Sequence, residues 1–428
     1  MSDKLLVEES HALPLVHFQV VLPTGSLEDP LGQEGLTRLS ARLMRRGTRQ
    51  RSTQQIEELI DSLGAELGIE TSPGFVRFSG STIKRSLEPL LALLGEMLSE
   101  PSFPERELAQ LKRESVAALV ELTDSDPSLV STHFRRALYR GHPYGRTSLG
   151  TRGTLEGITL DHVVGRYRDG FARTARTVGF AGDITPSEAQ GLVQKYLASP
   201  RGATAARQKP PEPNMPRGRH LRIVDKPERT QTQIQIGRLG THPRDADHVP
   251  LVVGNAVFGG AFTARLMRAV RSERGWSYGA SSRLAIDRVR EAWNMWTFPA
   301  AADAAPCIAL QLELMQRWVE AGITEEELAF AKSFLIKSHA FAVDTADKRL
   351  EQAVEVSLYD LPGDYFSDYT KHVEAVTTAQ VNQALAARLS PADLVLSVVA
   401  TESDIGAALK ALPGLTSSEV VAFDADAS

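Results

Sequence analysis

Residues 41–45 read Ala-Arg-Leu-Met-Arg, and residues 264–268 read Ala-Arg-Leu-Met-Arg again, 223 positions later. Similarity at a fixed long spacing is the signature of a duplicated structural unit. The sequence therefore predicts two homologous halves. Three further segments recur in the same order at shifts of 218 to 220 residues: 104–108 with 324–328, 155–159 with 373–377, and 178–181 with 397–400.

A proline-rich segment separates the two halves. Residues 201–219 hold four prolines among mostly polar neighbours, a composition typical of an extended linker. A chain of 428 residues also exceeds the length at which single hydrophobic cores stop growing. We therefore predict an N-terminal domain at 1–200, a linker at 201–219 and a C-terminal domain at 220–428.

Each half shows the same succession of strand and helix patterns. An alternating apolar strand opens it, several helical stretches follow, and a second strand closes it. Long helices are expected to begin after Pro104 and Thr324, where acidic residues fill the first turn. The predicted fold class is α+β, with two homologous domains that each pack helices on one face of a mostly antiparallel sheet. The alternating apolar residues are Val16, Phe18, Val20 and Leu22 in the first half and Thr232, Ile234 and Ile236 in the second.

Charge and cysteine content exclude several classes of function. A net charge of -5 argues against a nucleic-acid partner. The single cysteine, Cys307, excludes an internal disulfide and a thiolate metal cluster, and is expected to be a small buried residue. No signal-peptide core and no apolar stretch of about 18 residues is present, so we expect a cytoplasmic protein without membrane association. A periplasmic location would require an upstream signal segment.

The stretch from Gly35 to Thr48 is predicted to be a helix with Leu36, Leu39 and Leu43 on one stripe and Gly47 at its C-cap. This stretch resembles the zinc-binding helix of the pitrilysin/insulinase peptidase family, in its processing-peptidase-like subgroup. In that family a glycine precedes H-x-x-E-H and Gly-Thr follows it. The two histidines, four residues apart, bind one zinc ion, and the glutamate is the general base.

In this sequence the three motif positions are Arg38, Ala41 and Arg42. A guanidinium has no lone pair for a metal, and alanine accepts no proton, so zinc is not expected here. The resemblance places the third ligand on a helix with two glutamates seven residues apart, which Glu114 and Glu121 match, with Glu121 at the ligand position. Without histidines, an ion pair between Glu121 and the new arginines is expected.

The second half resembles the family in a second motif, an arginine followed seven residues later by a tyrosine. Arg271 lies seven residues before Tyr278, in a helix expected to end at Gly275 before a strand beginning at Ser277. In the family, such an arginine and tyrosine reach across a central cavity and donate hydrogen bonds to substrate carbonyls. The alternative is that Arg271 pairs with Glu273 or with another acid that the sequence does not identify, and that Tyr278 is only a strand aromatic.

The resemblance extends from about Leu6 to Leu412, and the family's usual first strand is expected to be cut. It implies the non-catalytic subunit of a heterodimeric zinc endopeptidase that takes short unfolded peptides. Zinc would come from a homologous partner bearing H-x-x-E-H. The alternative is an inactive structural or peptide-binding paralogue. A substitute metal site at His242 and His248 is disfavoured, because a loop pair lacks the rigid spacing of a ligand motif.

Overall fold

The computed structural model describes residues 3–199 and 210–427 and contains two sheets, one in each half of the chain. The first sheet has five strands in the order β1-β5-β2-β4-β3. The second has six strands in the order β11-β6-β10-β7-β9-β8. Antiparallel pairs predominate in both sheets, and the parallel pairs are β1 with β5, β6 with β10 and β6 with β11.

The elements of the first half are β1 (Lys4–Glu9), β2 (Leu15–Leu22), α1 (Leu36–Met44), α2 (Thr53–Ser62), β3 (Glu66–Thr71), β4 (Val76–Ile83), α3 (Lys84–Ser99), α4 (Glu105–Asp124), α5 (Asp126–Leu138), α6 (Arg152–Gly157), α7 (Leu160–Asp169), β5 (Thr177–Gly182) and α8 (Pro186–Leu192).

The elements of the second half are β6 (Arg219–Asp225), β7 (Gln233–Leu239), α9 (His248–Asn255), α10 (Arg265–Met267), β8 (Ala280–Ile286), β9 (Arg290–Thr297), α11 (Ala304–Ala321), α12 (Glu325–Val343), α13 (Ala346–Leu358), α14 (Tyr369–Ala375), α15 (Thr378–Arg388), β10 (Leu394–Ala400), α16 (Glu402–Lys410) and β11 (Leu415–Ala422).

The two halves repeat one topology. The closing strand β5 lies between a parallel neighbour, β1, and an antiparallel neighbour, β2. Its counterpart β10 lies in the same way between β6 and β7. The long helices α4 and α12 begin after Pro104 and Thr324, as predicted. The predicted α+β class with two homologous units is confirmed.

One pair of helices is exchanged between the halves, a feature that the sequence did not predict. Helix α5 belongs to the first half but packs on the outer face of the second sheet, where Phe134 lies in one buried cluster with Val395. Helix α13 belongs to the second half but packs on the first sheet, where Leu350 joins a cluster with Val21 and Ala181. Each sheet is therefore covered on both faces, and the prediction that helices pack on one face only is wrong.

Polar contacts accompany the exchange on both sides. Arg77 of the first sheet pairs with Glu351 of α13 at 2.5 Å, and Gln19 donates to the same carboxylate at 2.7 Å. At the other sheet, Lys226 pairs with Asp126 of α5 at 2.6 Å. These bonds satisfy polar groups that the exchange removes from water.

Three predicted boundaries are wrong. Helix α1 ends at Met44, with Arg45 as its C-cap, so Gly47 lies beyond the cap. Strand β8 begins at Ala280 and not at Ser277, because Ser277 bonds the Gly279 carbonyl in a bend. The family's first strand is also present, because Lys4–Glu9 forms β1 beside β5.

The predicted linker falls partly outside the described residues, which omit 200–209. Residues 210–216 have no regular secondary structure, whereas Arg219, predicted as linker, opens β6. The domain bounds at 200 and 220 stay a prediction. Segment 248–272 is long and apolar enough for a membrane span, but 61% of its most apolar window is buried, as in the core helix of a globular protein.

A close contact across the exchange gives a test of its importance. A Cβ at Gly179 would lie 2.7 Å from the Leu350 Cδ1 atom, and Leu350 is fully buried. Gly179→Ala is expected to lower the free energy of unfolding by about 1–3 kcal/mol, and Leu350→Ala by about 2–5 kcal/mol. Chemical denaturation of both single variants and the double variant measures the coupling.

In the Leu350→Ala background, Gly179→Ala should lower the free energy of unfolding by less than it does in the wild-type chain, because the clashing atoms of Leu350 are gone. Gly165→Ala is the control, because no atom lies within 4 Å of a Cβ there and alanine is the better helix residue. Strict additivity of the two core substitutions would contradict the packing of α13 on β5.

Glu355 of α13 predicts a pH dependence of stability. Burial, followed by repulsion from Glu351, raises the pKa of Glu355 to about 7. The folded state therefore favours the protonated carboxyl group of Glu355. Its contribution to the free energy of unfolding is lost as pH rises from the pKa of this group in the unfolded chain through its folded pKa of about 7. Glu355→Gln should raise the melting temperature more at pH 8 than at pH 4.5, measured by calorimetry. An equal change at both pH values would be inconsistent with this burial.

Candidate functional site

A buried carboxylate fixes the start of α1. Asp29 accepts hydrogen bonds from the backbone N–H groups of Gly35 at 3.1 Å and Thr37 at 2.9 Å. These N–H groups have no partner within the helix, so Asp29 satisfies donors that the first turn leaves free. Burial, opposed by the bonds from Thr37, raises the pKa of Asp29 to about 6. The predicted stripe of Leu36, Leu39 and Leu43 is buried.

The three positions that correspond to the zinc motif do not form a metal site. Ala41 is completely buried, and Arg42 donates to the Glu114 carboxylate at 2.8 Å. Arg38 contributes a guanidinium, which offers no lone pair. The side chains at these positions therefore do not fit zinc.

The predicted ion pair exists, but it involves the other glutamate. Arg42 and Arg46 share Glu114, with the Arg46 bond at 3.0 Å. Glu121, which was expected to pair, is exposed and forms no ion pair within the described part of the chain. The two glutamates are two helical turns apart, about 10 Å along α4, so the same arginines do not reach both.

The second copy of Ala-Arg-Leu-Met contains a bridge between the corresponding two helices, although its glutamate, Glu327, corresponds at the shift of 220 residues to Glu107 and not to Glu114. Arg265 of α10 pairs with Glu327 of α12 at 2.6 Å, just as Arg42 of α1 pairs with Glu114 of α4. In each half, the repeated arginine ties the short helix to the long one. The replacement at position 42 therefore gives the first half a structural contact like that of the second.

Arg271 and Tyr278 are brought into direct contact. After α10, a π-helical turn over Arg268–Ser272 carries Arg271, and Gly275 reverses the chain with a φ of 68°. This reversal places the Arg271 guanidinium carbon 4.3 Å from the centre of the Tyr278 ring. The Tyr278 side chain is 75% exposed.

A second aromatic residue, Phe262, completes this group, and sequence analysis missed it. The Arg271 guanidinium carbon also lies 5.2 Å from the centre of the Phe262 ring, which is 69% exposed. The only sequence signal was an apolar residue just after Gly259 and Gly260. A cavity of about 620 Å³ opens beside the group and is lined by Phe262, Thr263, Met267, Arg268, Arg271 and Ser272.

The alternative pairing of Arg271 is wrong. Glu273 lies 3.7 Å from Arg268 and pairs with that residue. Within residues 3–199 and 210–427, Arg271 forms no ion pair and no side-chain hydrogen bond. Its N–H groups are therefore available to a ligand.

The histidines at 242 and 248 have structural partners. His248 is fully buried between Thr241 and the Tyr365 hydroxyl, and burial lowers its pKa to about 4. His242 lies 3.0 Å from the Tyr359 carbonyl oxygen. These contacts agree with the expectation that the pair is not a metal site.

Two other features bear on metal chemistry. Cys307 is buried, and burial raises the pKa of its thiol to about 11, so it is the inert residue expected. Asp364, Asp368 and His372 lie close together at a surface turn, but Asp368 is paired with Lys371 at 2.8 Å. Sequence analysis did not identify this last group.

Comparison with known proteins supports the family expected from the sequence. The family profile described as Insulinase (Peptidase family M16) matches residues 4–152. The profile described as Peptidase M16 inactive domain matches residues 158–335. The two profiles together cover most of the chain.

Two relatives and one solved structure match over nearly their whole length. The Non-peptidase homolog YmxG of Helicobacter pylori is 21% identical over 399 residues, covering 93% of this chain and 92% of that protein. The Uncharacterized zinc protease YmxG of Bacillus subtilis is 22% identical over 405 residues, which covers 94% of this chain and 97% of that protein. The crystal structure of a peptidase M16 inactive domain from Pseudomonas fluorescens has a TM-score of 0.83 at 24% identity, covering 93% and 96%.

A protease from Helicobacter pylori has a TM-score of 0.81 at 15% identity, covering 94% of this chain and 99% of that chain. At these identities the structural matches show the fold alone, and the profiles give the family. The chain belongs to the insulinase family of peptidases (M16), as an inactive member without a catalytic zinc site.

Proposed function

We propose that this chain is the non-catalytic subunit of a heterodimeric zinc endopeptidase. A homologous partner bearing H-x-x-E-H would supply the zinc and the general base. This chain would supply Arg271 and Tyr278 to the peptide substrate. The observation that carries the proposal is the unpaired Arg271 guanidinium, held against two exposed rings beside an open cavity.

The stacking suits a hydrogen-bond donor that must be fixed before the substrate arrives. A guanidinium over an aromatic face is held by cation–π attraction, while its N–H groups remain free at the edge. As a peptide bond is attacked, its carbonyl oxygen gains negative charge. Donors already aimed at that oxygen stabilise the transition state more than the ground state. The Tyr278 hydroxyl is a second donor of this kind.

The cavity fits a short peptide. Phe262 and Met267 offer apolar surface next to the polar Arg271. An extended peptide presents unpaired backbone carbonyls together with side chains, whereas a folded protein has paired most of its carbonyls. This contrast supports unfolded peptides as substrates.

The second candidate is an inactive structural or peptide-binding paralogue. It is favoured by the name of the Helicobacter pylori relative, a non-peptidase homolog. It differs from the first candidate in one measurable respect. A structural paralogue would not change the cleavage rate of a partner when Arg271 and Tyr278 are altered.

Arg271→Ala is expected to lower kcat/KM for peptide cleavage by about 100-fold in the reconstituted heterodimer, because one preorganised donor is lost. Tyr278→Phe removes the hydroxyl but keeps the ring for stacking, so its loss should be smaller. The measurement is steady-state cleavage of a fluorogenic peptide by this chain with an H-x-x-E-H homologue.

Arg274→Ala is the matched control, because Arg274 is an exposed arginine over the Trp276 ring, three residues further on. It should leave cleavage unchanged. Assembly of each variant is checked by size-exclusion chromatography. Cleavage that is no faster with this chain than with the partner alone would reject the complementing role.

Zinc analysis tests the residues of the degenerate motif. The wild-type chain, dialysed against zinc, should retain none in stoichiometric amount. The triple variant Arg38→His, Ala41→Glu, Arg42→His regains two imidazoles four residues apart and should bind about one zinc ion per chain. Adding Glu114→Gln or Glu121→Gln identifies the third ligand. Stoichiometric zinc in the wild-type chain would refute the loss of the site.

A further inference from the structure

Four arginines lie on α1 or just beyond its end, and three of them have acidic partners. Arg42 and Arg46 share Glu114, and Arg46 also lies 3.8 Å from Glu107. Arg45 pairs with Glu57 at 2.5 Å. The fourth is Arg38. Four guanidinium groups therefore face three carboxylates.

Arg38 is the unpaired member of this group. Its Nη1 atom is shielded from solvent and has no hydrogen-bond partner in the described residues. Burial, followed by repulsion from Arg42, lowers the pKa of Arg38. A guanidinium does not lose its proton in proteins, so the charge remains.

The unpaired, partly buried charge of Arg38 would be stabilised by an anionic ligand. Groups of this kind are costly to leave without a partner, and those that native proteins retain have a role that deserves explanation. We propose that Arg38 binds the carboxylate group of a peptide, at the position where the zinc-binding relatives carry their first histidine. This inference rests on the peptide substrate of the proposed function.

The local charge selects a singly charged anion. One guanidinium in excess balances one carboxylate, and its planar fork matches the two carboxylate oxygens. A cleft of about 400 Å³ opens beside Arg42 and is lined by Arg42, Arg45, Arg46, Glu57 and Ile69. Arg38 lies one helical turn before Arg42 and is not one of these lining residues. Glu57 and the nearby Glu114 would repel a doubly charged phosphate. A carboxylate is therefore favoured over a phosphate group.

The carboxylate could be the C-terminus of the peptide or an acidic side chain, and binding measurements separate the two. Three labelled peptides of one neutral sequence are compared by fluorescence anisotropy with the full chain at fixed ionic strength. One has a free C-terminus, one a C-terminal amide, and one an amide with a single internal glutamate. At least one carboxylate peptide should bind about tenfold more tightly than the neutral amide.

Arg38→Gln should reduce that preference to less than about twofold. Arg113→Gln is the matched control, because Arg113 is exposed on the neighbouring helix and bonds only a neutral side chain, Gln110. It should keep the preference. Equal binding of all three peptides by the wild-type chain, or an unchanged preference in Arg38→Gln, would overturn the proposal.

The unliganded chain provides a second test. Arg38→Met keeps much of the side-chain volume and removes the uncompensated charge, so it should raise the melting temperature. A lower melting temperature would show that Arg38 already has a partner and would overturn the premise. Both experiments use the isolated chain, whereas cleavage needs the partner, so failure here is distinguishable from failure of the proposed heterodimer.

Discussion

The exchange of α5 and α13 is the contact on which the rest of the structure depends. Each sheet needs apolar cover on its outer face, and in each case the cover comes from the other half. The central strand β10 is consequently buried at all seven positions, which a sheet covered on one face only would not allow. The two halves are therefore tied together through their cores, and neither sheet is complete without the other half of the chain.

The exchanged helices belong to the duplication as well. Helices α5 and α13 have the same length of 13 residues and lie 220 positions apart, within the range of shifts of the other repeated segments. Each packs against the sheet of the other half. Leu350 packs on Gly179, whereas Val398, 219 positions after Gly179, faces the inner core of its own half. The two residues therefore lie on opposite faces of their sheets, so they are not structural counterparts.

Local patterns predicted much of the fold and part of the candidate site. Helix α1, the strand alternation, the long helices and the Arg271–Tyr278 spacing follow from residues close in sequence, where periodicity and capping act. The helix exchange, the pairing of Arg42 with Glu114 and the position of Phe262 depend on segments brought together by folding. No local sequence signal indicated whether Glu114 or Glu121 would pair with the arginines of α1, because both glutamates lie on one helix, two turns apart. The chain reversal at Gly275 decided whether Arg271 met an acid or an aromatic ring.

The two halves of the candidate site share one feature: each has an arginine that pairs with an acid and another that does not. In the second half Arg265 is tied to Glu327 and stabilises packing, while Arg271 remains without an acid beside a cavity. In the first half Arg42 is tied to Glu114, while Arg38 keeps a shielded nitrogen without a partner. A charge that served only the fold would be expected to have its partner within the fold, because leaving it unpaired lowers stability. In the described part of the chain, each half thus pairs several arginines with acids, among them Arg42 and Arg265, and also has an arginine near the candidate site without an acidic partner, Arg38 in the first half and Arg271 in the second. We infer that these two are the groups open to a ligand.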